Sequence, residues 1–420
     1  MDLTTFLLYN QPQDRDAPVL IDADAPERKL SWYDYASAVK RISVALRVRN
    51  LANQACVGLL SHNDIYYHVL AHGVIAAGAV FASIPTNYTV TEICRVIRVA
   101  EIRVLFVSRQ FLSIVAYGVS TMPAAKRPYI ILFDPPGRRP RHYFIGLDCL
   151  SSLIDSADAR LFKNMNAGAD MARQTAYRLS TGCLPTATRA AEISHTTHLK
   201  RLMSAMRPPW PTDDKPRFSL LSSSMYNAAT ALATELAVVG EWTVYVTGCK
   251  DDNGAKIIEM THKFNITDLH LSIPDLSSVV EGMPGSGSKD LRVASLRRVV
   301  VNGPVSKAIL TALHASLCDE AAIVSFRCRG RSPNFGTGTE ICVRGDKVMK
   351  EYYRDPESTA IRFEEAPDGS SWFRTACYGW IDPATQLIYL EEDWHTPSVS
   401  PHHAEPSSSN IDSSASLNDD

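Results

Sequence analysis

The stretch 179–195, LSTGCLPTATRAAEISH, sets two hydroxyl side chains and a glycine, Ser180, Thr181 and Gly182, directly after a run that reads as a strand, TAYRLS at 175–180. Small hydroxyl-rich loops of this kind hold phosphate oxygens, because their backbone N–H groups converge and no bulky side chain keeps the anion away. The loop has one glycine and no lysine, so it offers hydroxyls and N–H groups without the usual cation. Its far end, at His195, reads as the start of a helix. Other chemistry-bearing residues are less ordered. His68 and His72 stand four apart on an expected helix, but no carboxylate or thiol lies at ligand spacing, and packing or surface histidines are the stronger reading. The nine cysteines are scattered without a CxxC pair, as expected of reduced thiols rather than of disulfides or a zinc site. Nothing in the sequence holds Cys377 and His395 together as a nucleophile and base.

The elements that must position the loop follow from hydrophobic period. Residues 31–50 place Tyr35, Val39, Ile42 and Leu46 on one face behind Ser31, an amphipathic helix with its cap. Strands are expected at 55–60, 79–84, 103–108 and 129–134, with helices near 64–75 and from Thr89, whose capping box is completed by Glu92. Beyond the loop the alternation resumes: strands at 218–223, 243–248, 268–273, 296–303 and 321–326, with helices through Leu236, over 255–264 and after Ser306. Continuous β-branched strands alternating with amphipathic helices give an α/β fold with mostly parallel sheets flanked by helices. From Glu340 to Leu390 short strands and turn signals indicate a small β-rich subdomain. After His395 a Ser-rich tail has too little apolar surface to fold. The expected organisation is therefore 1–339 as the large domain, 340–394 as the β-rich part and 395–420 as a disordered tail.

A composition of 45% hydrophobic and 21% charged residues is that of a globular protein, and a net charge of −2 gives no general attraction to nucleic acid. The one dense basic patch, GRRPRH at 137–142, reads as a solvated loop. No apolar run approaches the roughly 18 residues of a membrane span, and the N-terminus has no basic leader, so a cytoplasmic location is expected. Oligomeric state is not legible.

Order along the chain adds more than any one motif. The N-terminal half, with LSWYDYASAV and ACVGLLSHNDIYYHVLAHGVIAAGAVFASIPTNYTVTEICRVIRVAEIRVLFVS, resembles the large AMP-binding domain of the adenylate-forming superfamily of acyl-CoA synthetases and coumarate-CoA ligases. The resemblance continues in register through 179–195 as the phosphate loop, VVVNGPVSKAI (299–309) as the acyl-pocket strand and turn, NFGTGTE (334–340) as the adenine and magnesium segment, and WFRTACYGWID (372–382) as the ribose segment. It implies ATP-dependent activation of a carboxylic acid as an acyl-adenylate, with transfer to a thiol such as that of coenzyme A, on a hydrophobic or aromatic acid of specialised metabolism.

The resemblance also implies residue roles. Ser180, Thr181, Gly182 and Thr186 fall on the phosphate loop, Asn302 and Gly303 on the acyl-pocket turn, and Phe335 and Gly336 against adenine. Thr339 and Glu340 stand where the family has its catalytic pair, with Glu340 as the magnesium carboxylate, and Cys377 falls in the ribose segment. Several positions depart from the pattern. The loop is shorter, and Thr186 stands after the proline where the family has lysine, removing a charge-assisted contact of roughly 1.5–3 kcal/mol. Cys377 replaces the aspartate that accepts from ribose hydroxyls, a thiol being a weak acceptor. Met225 replaces a histidine near the adenylate, and LIYLEEDWHTPS stands where the hinge to a C-terminal lid domain is expected, so the lid is expected to be absent. Loss of one donor aimed at developing charge costs about 10²–10³ in rate. Two readings follow: an acid–thiol ligase of impaired activity, and a non-catalytic remnant that binds ligand or serves as a scaffold.

Overall fold

The computed structural model describes residues 1–137, 147–181, 188–206, 216–240, 242–248, 254–282, 295–302, 322–325, 330–331, 339–365, 371–381 and 388–390. In chain order the first elements are α1 (Leu3–Tyr9), β1 (Pro18–Asp22), β2 (Lys29–Ser31), α2 (Trp32–Val48), β3 (Cys56–Leu60), α3 (Tyr67–Ala76), β4 (Val80–Ser83), α4 (Val90–Val99) and β5 (Ile102–Ser108). Then come α5 (Leu112–Ser120), β6 (Tyr129–Phe133), α6 (Leu150–Ser156), β7 (Thr175–Thr181), β8 (Arg189–Ser194) and α7 (His195–Ala205). The second half adds β9 (Phe218–Leu221), α8 (Ala228–Val239), β10 (Thr243–Val246), α9 (Gly254–Lys263), β11 (Asp268–Ser272), α10 (Ile273–Gly282), β12 (Arg298–Asn302) and β13 (Ala322–Ser325). The chain continues through β14 (Gly330–Arg331), β15 (Thr339–Val343), β16 (Glu351–Tyr352), α11 (Pro356–Arg362), β17 (Phe363–Glu365), β18 (Ser371–Ile381) and β19 (Ile388–Leu390).

Local chemistry accounts for many of these boundaries. Ser31 and Asp34 exchange side-chain and backbone bonds at the start of α2, and Thr89 and Glu92 do so at α4, satisfying N–H groups that have no partner within the helix. In α3 every residue is buried, so that helix lacks a polar face and must lie inside the fold. It packs against α2 at Gly73, where a Cβ would lie 2.6 Å from the Ile42 side chain, closer than any real side chain allows. Helix α1 and the β1–β2 hairpin are absent from the expected elements, as is β8.

Among the described residues the strands form three sheets. One runs β13-β12-β11-β9-β10-β1-β2 and is parallel except for the β1–β2 hairpin. A second runs β16-β8-β7-β4-β3-β5-β6, with β7, β4, β3, β5 and β6 parallel and β8 and β16 antiparallel additions at one edge. This is the expected α/β architecture of mostly parallel sheets flanked by helices. The third sheet is antiparallel, β14-β15-β18-β17 with β19 on β18. The region after Glu340 is not all strand: α11 interrupts it, and β16 joins the second large sheet. The expected helix after Ser306 and the tail from 395 lie outside the described residues.

The two large sheets meet at the carboxyl ends of their strands. Asn63, just beyond β3, donates from Nδ2 to the carbonyls of Ser223 (3.0 Å), Thr247 (3.1 Å) and Ser222 (3.4 Å), which follow β9 and β10. Its Oδ1 accepts from the Met225 N–H at 2.8 Å. Ser83, the last residue of β4, donates to the Tyr226 carbonyl at 2.9 Å. In open α/β sheets ligands bind beyond the carboxyl ends of parallel strands, and here that edge is shared by two sheets.

Candidate functional site

Ser180 and Thr181 end β7 at the carboxyl end of the five-strand parallel run, with partly exposed side chains, as a loop that binds a ligand there requires. The strand is fixed from below by Arg178, which donates to Glu192 on β8 at 2.7 Å and to the Ala100 carbonyl at 2.7 Å, both side chains being almost fully buried. The return strand β8 was missed in the sequence because RAAEIS shows little alternation. Thr181 pairs with Arg189 as the last rung of the hairpin. Gly182 and Thr186 lie outside the described residues.

Arg189 stands beside the expected phosphate loop, where the sequence pattern points instead to the position after Pro185. It is the one cation between Thr181 and His195, and counting back from the Ser194 helix cap would have found it. In the structure Arg189 donates to Ser358 Oγ at 2.5 Å, lies 3.4 Å from the Asp355 carboxylate and faces the Tyr352 ring at 5.6 Å. Its side chain keeps 30% exposure, so the guanidinium remains within reach of solvent beside the loop.

Other residues expected at the site fall on the antiparallel sheet. Thr339 and Glu340 open β15 opposite Gly379 and Tyr378 of β18, and Cys377 is the neighbour of Tyr378 on that strand. From Glu340 to Cys342 β15 takes two steps, while its partner takes four from Tyr378 back to Arg374. The surplus puts Thr375, Ala376 and Cys377 into a bulge opposite Ile341, at the segment expected to meet ribose. Of Thr339 and Cys377 only the backbone is described. The two regions share a support: α11 carries the Asp355 cap and Ser358 that hold Arg189, and it packs against β17 and β18. Asn302 ends β12 in the other large sheet, opposite Ser272 of β11, also at the carboxyl edge of parallel strands. Gly303, Phe335 and Gly336 lie outside the described residues.

Glu340 carries the expectation of a metal carboxylate, and its surroundings can be tested against it. Its Oε2 accepts from both Arg374 Nε (2.9 Å) and Nη2 (2.6 Å), with the carboxylate 14% exposed and the guanidinium 46% exposed. A hard divalent cation needs that oxygen for itself and its water shell. In this arrangement the carboxylate does not fit magnesium, because a guanidinium fork already neutralises it.

A polar cluster lies deeper, behind β7. Glu235 of α8 is fully buried and accepts from Tyr177 OH at 2.9 Å on Oε1, where His72 Nε2 also lies at 3.2 Å, while His198 Nε2 lies 2.7 Å from Oε2. His72 Nδ1 meets Tyr35 OH at 2.8 Å, and His68 bonds to Thr234 Oγ1 at 2.8 Å and to the Met225 carbonyl at 3.3 Å. His68 and His72 are thus buried packing residues, and a carboxylate distant in sequence stands beside one of them. No group of three or more His, Cys, Asp or Glu that could hold a metal occurs among the described residues. Burial alone would raise the Glu235 pKa, but His198 and His72 outweigh it and hold the carboxyl below its usual range. Burial pushes His68 down to about 3 and His195 to about 4, so both are neutral in the folded chain. Met225, buried where a histidine was expected, contributes its backbone N–H and carbonyl to these networks.

Residues 9–140 match the family model for AMP-binding enzymes. A phenylacetyl-CoA ligase, epaB, of Aspergillus niger is 34% identical over 100 residues, 24% of this chain and 19% of that protein. The acyl-CoA ligase M9 of a Phoma species is 30% identical over 153 residues, 34% of this chain and 27% of that protein. The matched segments therefore span about a fifth to a quarter of these relatives' length. The fold is similar to the N-terminal domain of FACL13 from Mycobacterium tuberculosis, with TM-score 0.74 at 16% identity over 93% of this chain and 100% of that one. It is also similar to the long-chain-fatty-acid-CoA ligase FadD1 of Archaeoglobus fulgidus, with TM-score 0.78 at 14% identity over 93% and 84%. Among the described residues no helix is long and apolar enough to cross a membrane. The first third of the chain is thus similar in sequence to AMP-binding enzymes, and the chain shares the fold of the solved acyl-CoA ligase domains.

Proposed function

We propose that this chain binds ATP and a carboxylic acid and joins them as an acyl-adenylate, releasing pyrophosphate, with the acyl group then passed to a thiol such as that of coenzyme A. The observation that carries this reading is the β7–β8 hairpin: Ser180 and Thr181 at the carboxyl edge of parallel strands, with Arg189 directly across from Thr181. The hydroxyls and the loop N–H groups hold phosphate oxygens, and Arg189 supplies the positive charge that Thr186 does not. By family resemblance alone, Thr375–Cys377 are assigned to ribose, Phe335 and Gly336 to adenine, and Asn302 and Gly303 to the acyl pocket. Magnesium and coenzyme A enter by family resemblance alone, and no step here is assigned to the metal.

A second reading, a chain that binds ligand without turnover, is favoured by one observation, the Glu340–Arg374 pair. ATP–pyrophosphate exchange with a panel of aromatic and aliphatic acids separates the two, run beside equilibrium ATP binding. Exchange above background that is lost in Arg189→Gln establishes the ligase reading. ATP binding without exchange establishes the second, and absence of both overturns the nucleotide reading.

A further inference from the structure

The β7–β8 hairpin leaves its parallel sheet at one residue. Among the described residues β7 pairs with β4 at Phe81–Tyr177, and from Arg178 to Thr181 its partner is β8. A two-stranded ribbon is marginal by itself, so the direction set at Tyr177 decides where Ser180 and Thr181 stand. Successive side chains of a strand point to opposite faces, so Arg178 secures one face of the ribbon and Tyr177 the other. On that second face the Tyr177 ring lies edge-on to Phe81 at 6.2 Å and against His198 at 4.7 Å, and its hydroxyl donates to Glu235 Oε1 at 2.9 Å. The far end of the hairpin meets the same carboxylate: α7 continues from β8, and one turn into it His198 Nε2 lies 2.7 Å from Glu235 Oε2. Glu235 is fully buried on α8, which His72 of α3 braces at 3.2 Å from Oε1. With no water to take their place, these donors stay on the carboxylate while the chain is folded.

We propose that Glu235 is a positioning residue for the β7–β8 hairpin: one buried carboxylate holds Tyr177 before the loop and His198 after it, and so fixes Ser180 and Thr181 at the carboxyl edge of the sheet. It acts through those two side chains and touches no ligand. The use of Ser180 and Thr181 on phosphate rests on the proposed function, whereas the hold on their hairpin does not. Tyr177→Phe isolates the contact, because the ring stays packed and the hydroxyl alone is lost.

The test compares the full chain with its Tyr177→Phe and Glu235→Gln variants by amide hydrogen exchange at 178–181, with β3 (56–60) as the reference in the same sheet and circular dichroism as the folding control. Tyr177→Phe should exchange about tenfold faster at 178–181 while 56–60 stays within about twofold, because a bond to a charged acceptor is lost from a local opening. Glu235→Gln keeps an oxygen for Tyr177 and turns an amide N–H toward His198 Nε2, so it should lie between the two, and it serves if the phenylalanine variant does not fold. In ATP–pyrophosphate exchange with the most active acid of the panel, Tyr177→Phe should raise the KM for ATP about tenfold and that for the acid less than about twofold, whereas a merely structural weakening moves both. Unchanged hydrogen exchange at 178–181 in the folded variants overturns the proposal, as does acceleration shared equally by 56–60 or an equal rise in the two KM values. If the chain binds no ATP, the nucleotide reading fails and the hydrogen exchange still decides the hold on the hairpin.

Discussion

Replacing Asn63 tests whether one amide holds the two large sheets together at the candidate site. Asn63 is 9% exposed, and its Nδ2 serves carbonyls at 3.0, 3.1 and 3.4 Å while its Oδ1 takes the Met225 N–H at 2.8 Å. With two N–H groups it satisfies at most two of the three carbonyls at once, so Asn63→Ala removes about three hydrogen bonds. At about 1 kcal/mol each, with an added penalty for buried groups left unpaired, the expected loss is about 3 kcal/mol. Asn63→Asp keeps the acceptor for Met225 but turns a carboxylate toward three carbonyl oxygens. It should be at least as damaging at neutral pH and recover partly as pH is lowered enough to protonate it. Urea unfolding followed by tryptophan fluorescence gives the global loss. Hydrogen exchange on a peptide spanning 219–227 gives the local one, with faster exchange expected at Met225 in the alanine variant and a smaller change in the aspartate variant. A cost below about 0.5 kcal/mol with unchanged exchange at Met225 would refute the reasoning, since the sheets would then be held by other contacts.

The buried carboxylate gives a second test. Glu235→Ala leaves Tyr177, His72 and His198 without their acceptor and should cost about 3–5 kcal/mol in thermal or denaturant unfolding; a loss under about 1 kcal/mol would show that the cluster is not a network. Acid should destabilise the chain early. His68 (about 3) and His195 (about 4) are depressed from an ordinary 6.5, so the folded state binds fewer protons. Their contribution is complete above pH 6.5 and is lost on lowering the pH, by about 4 kcal/mol for the two at pH 5. Glu235, also depressed, acts in the same direction below the ordinary carboxyl range. Unfolding midpoints that stay flat from pH 7 to 5 would contradict this, and His68→Gln should remove about a third of the slope, because burial also holds His270 down at about 4. Finally, Gly254→Ala would set a Cβ 2.0 Å from the Ser278 carbonyl, forcing α9 from α10, and a loss of about 1–3 kcal/mol is expected; a neutral outcome would mean that the helices separate freely.

The sequence by itself determined whatever depends on residues within a few positions of one another. Ser31 with Asp34 and Thr89 with Glu92 announced their helices because a capping box closes over three residues. The run CVGLL announced a buried strand because parallel sheets cover both faces. The order of five altered motifs was enough to point to the fold that the chain shares with solved acyl-CoA ligase domains. What only the tertiary structure decided are pairings that no local rule specifies. RAAEIS became β8 because β7 offered it an antiparallel edge, and that pairing set Arg189 opposite Thr181. Glu235 reads in sequence as one polar residue in an apolar helix, and it gained meaning from Tyr177, His72 and His198, 37 to 163 residues away. The Glu340 carboxylate likewise reads as a cation site until a bulge in β18 turns Arg374 onto it. Caps and periodicity are fixed within one turn or one pleat, whereas the partner of a buried charge is chosen by the topology that brings distant strands together.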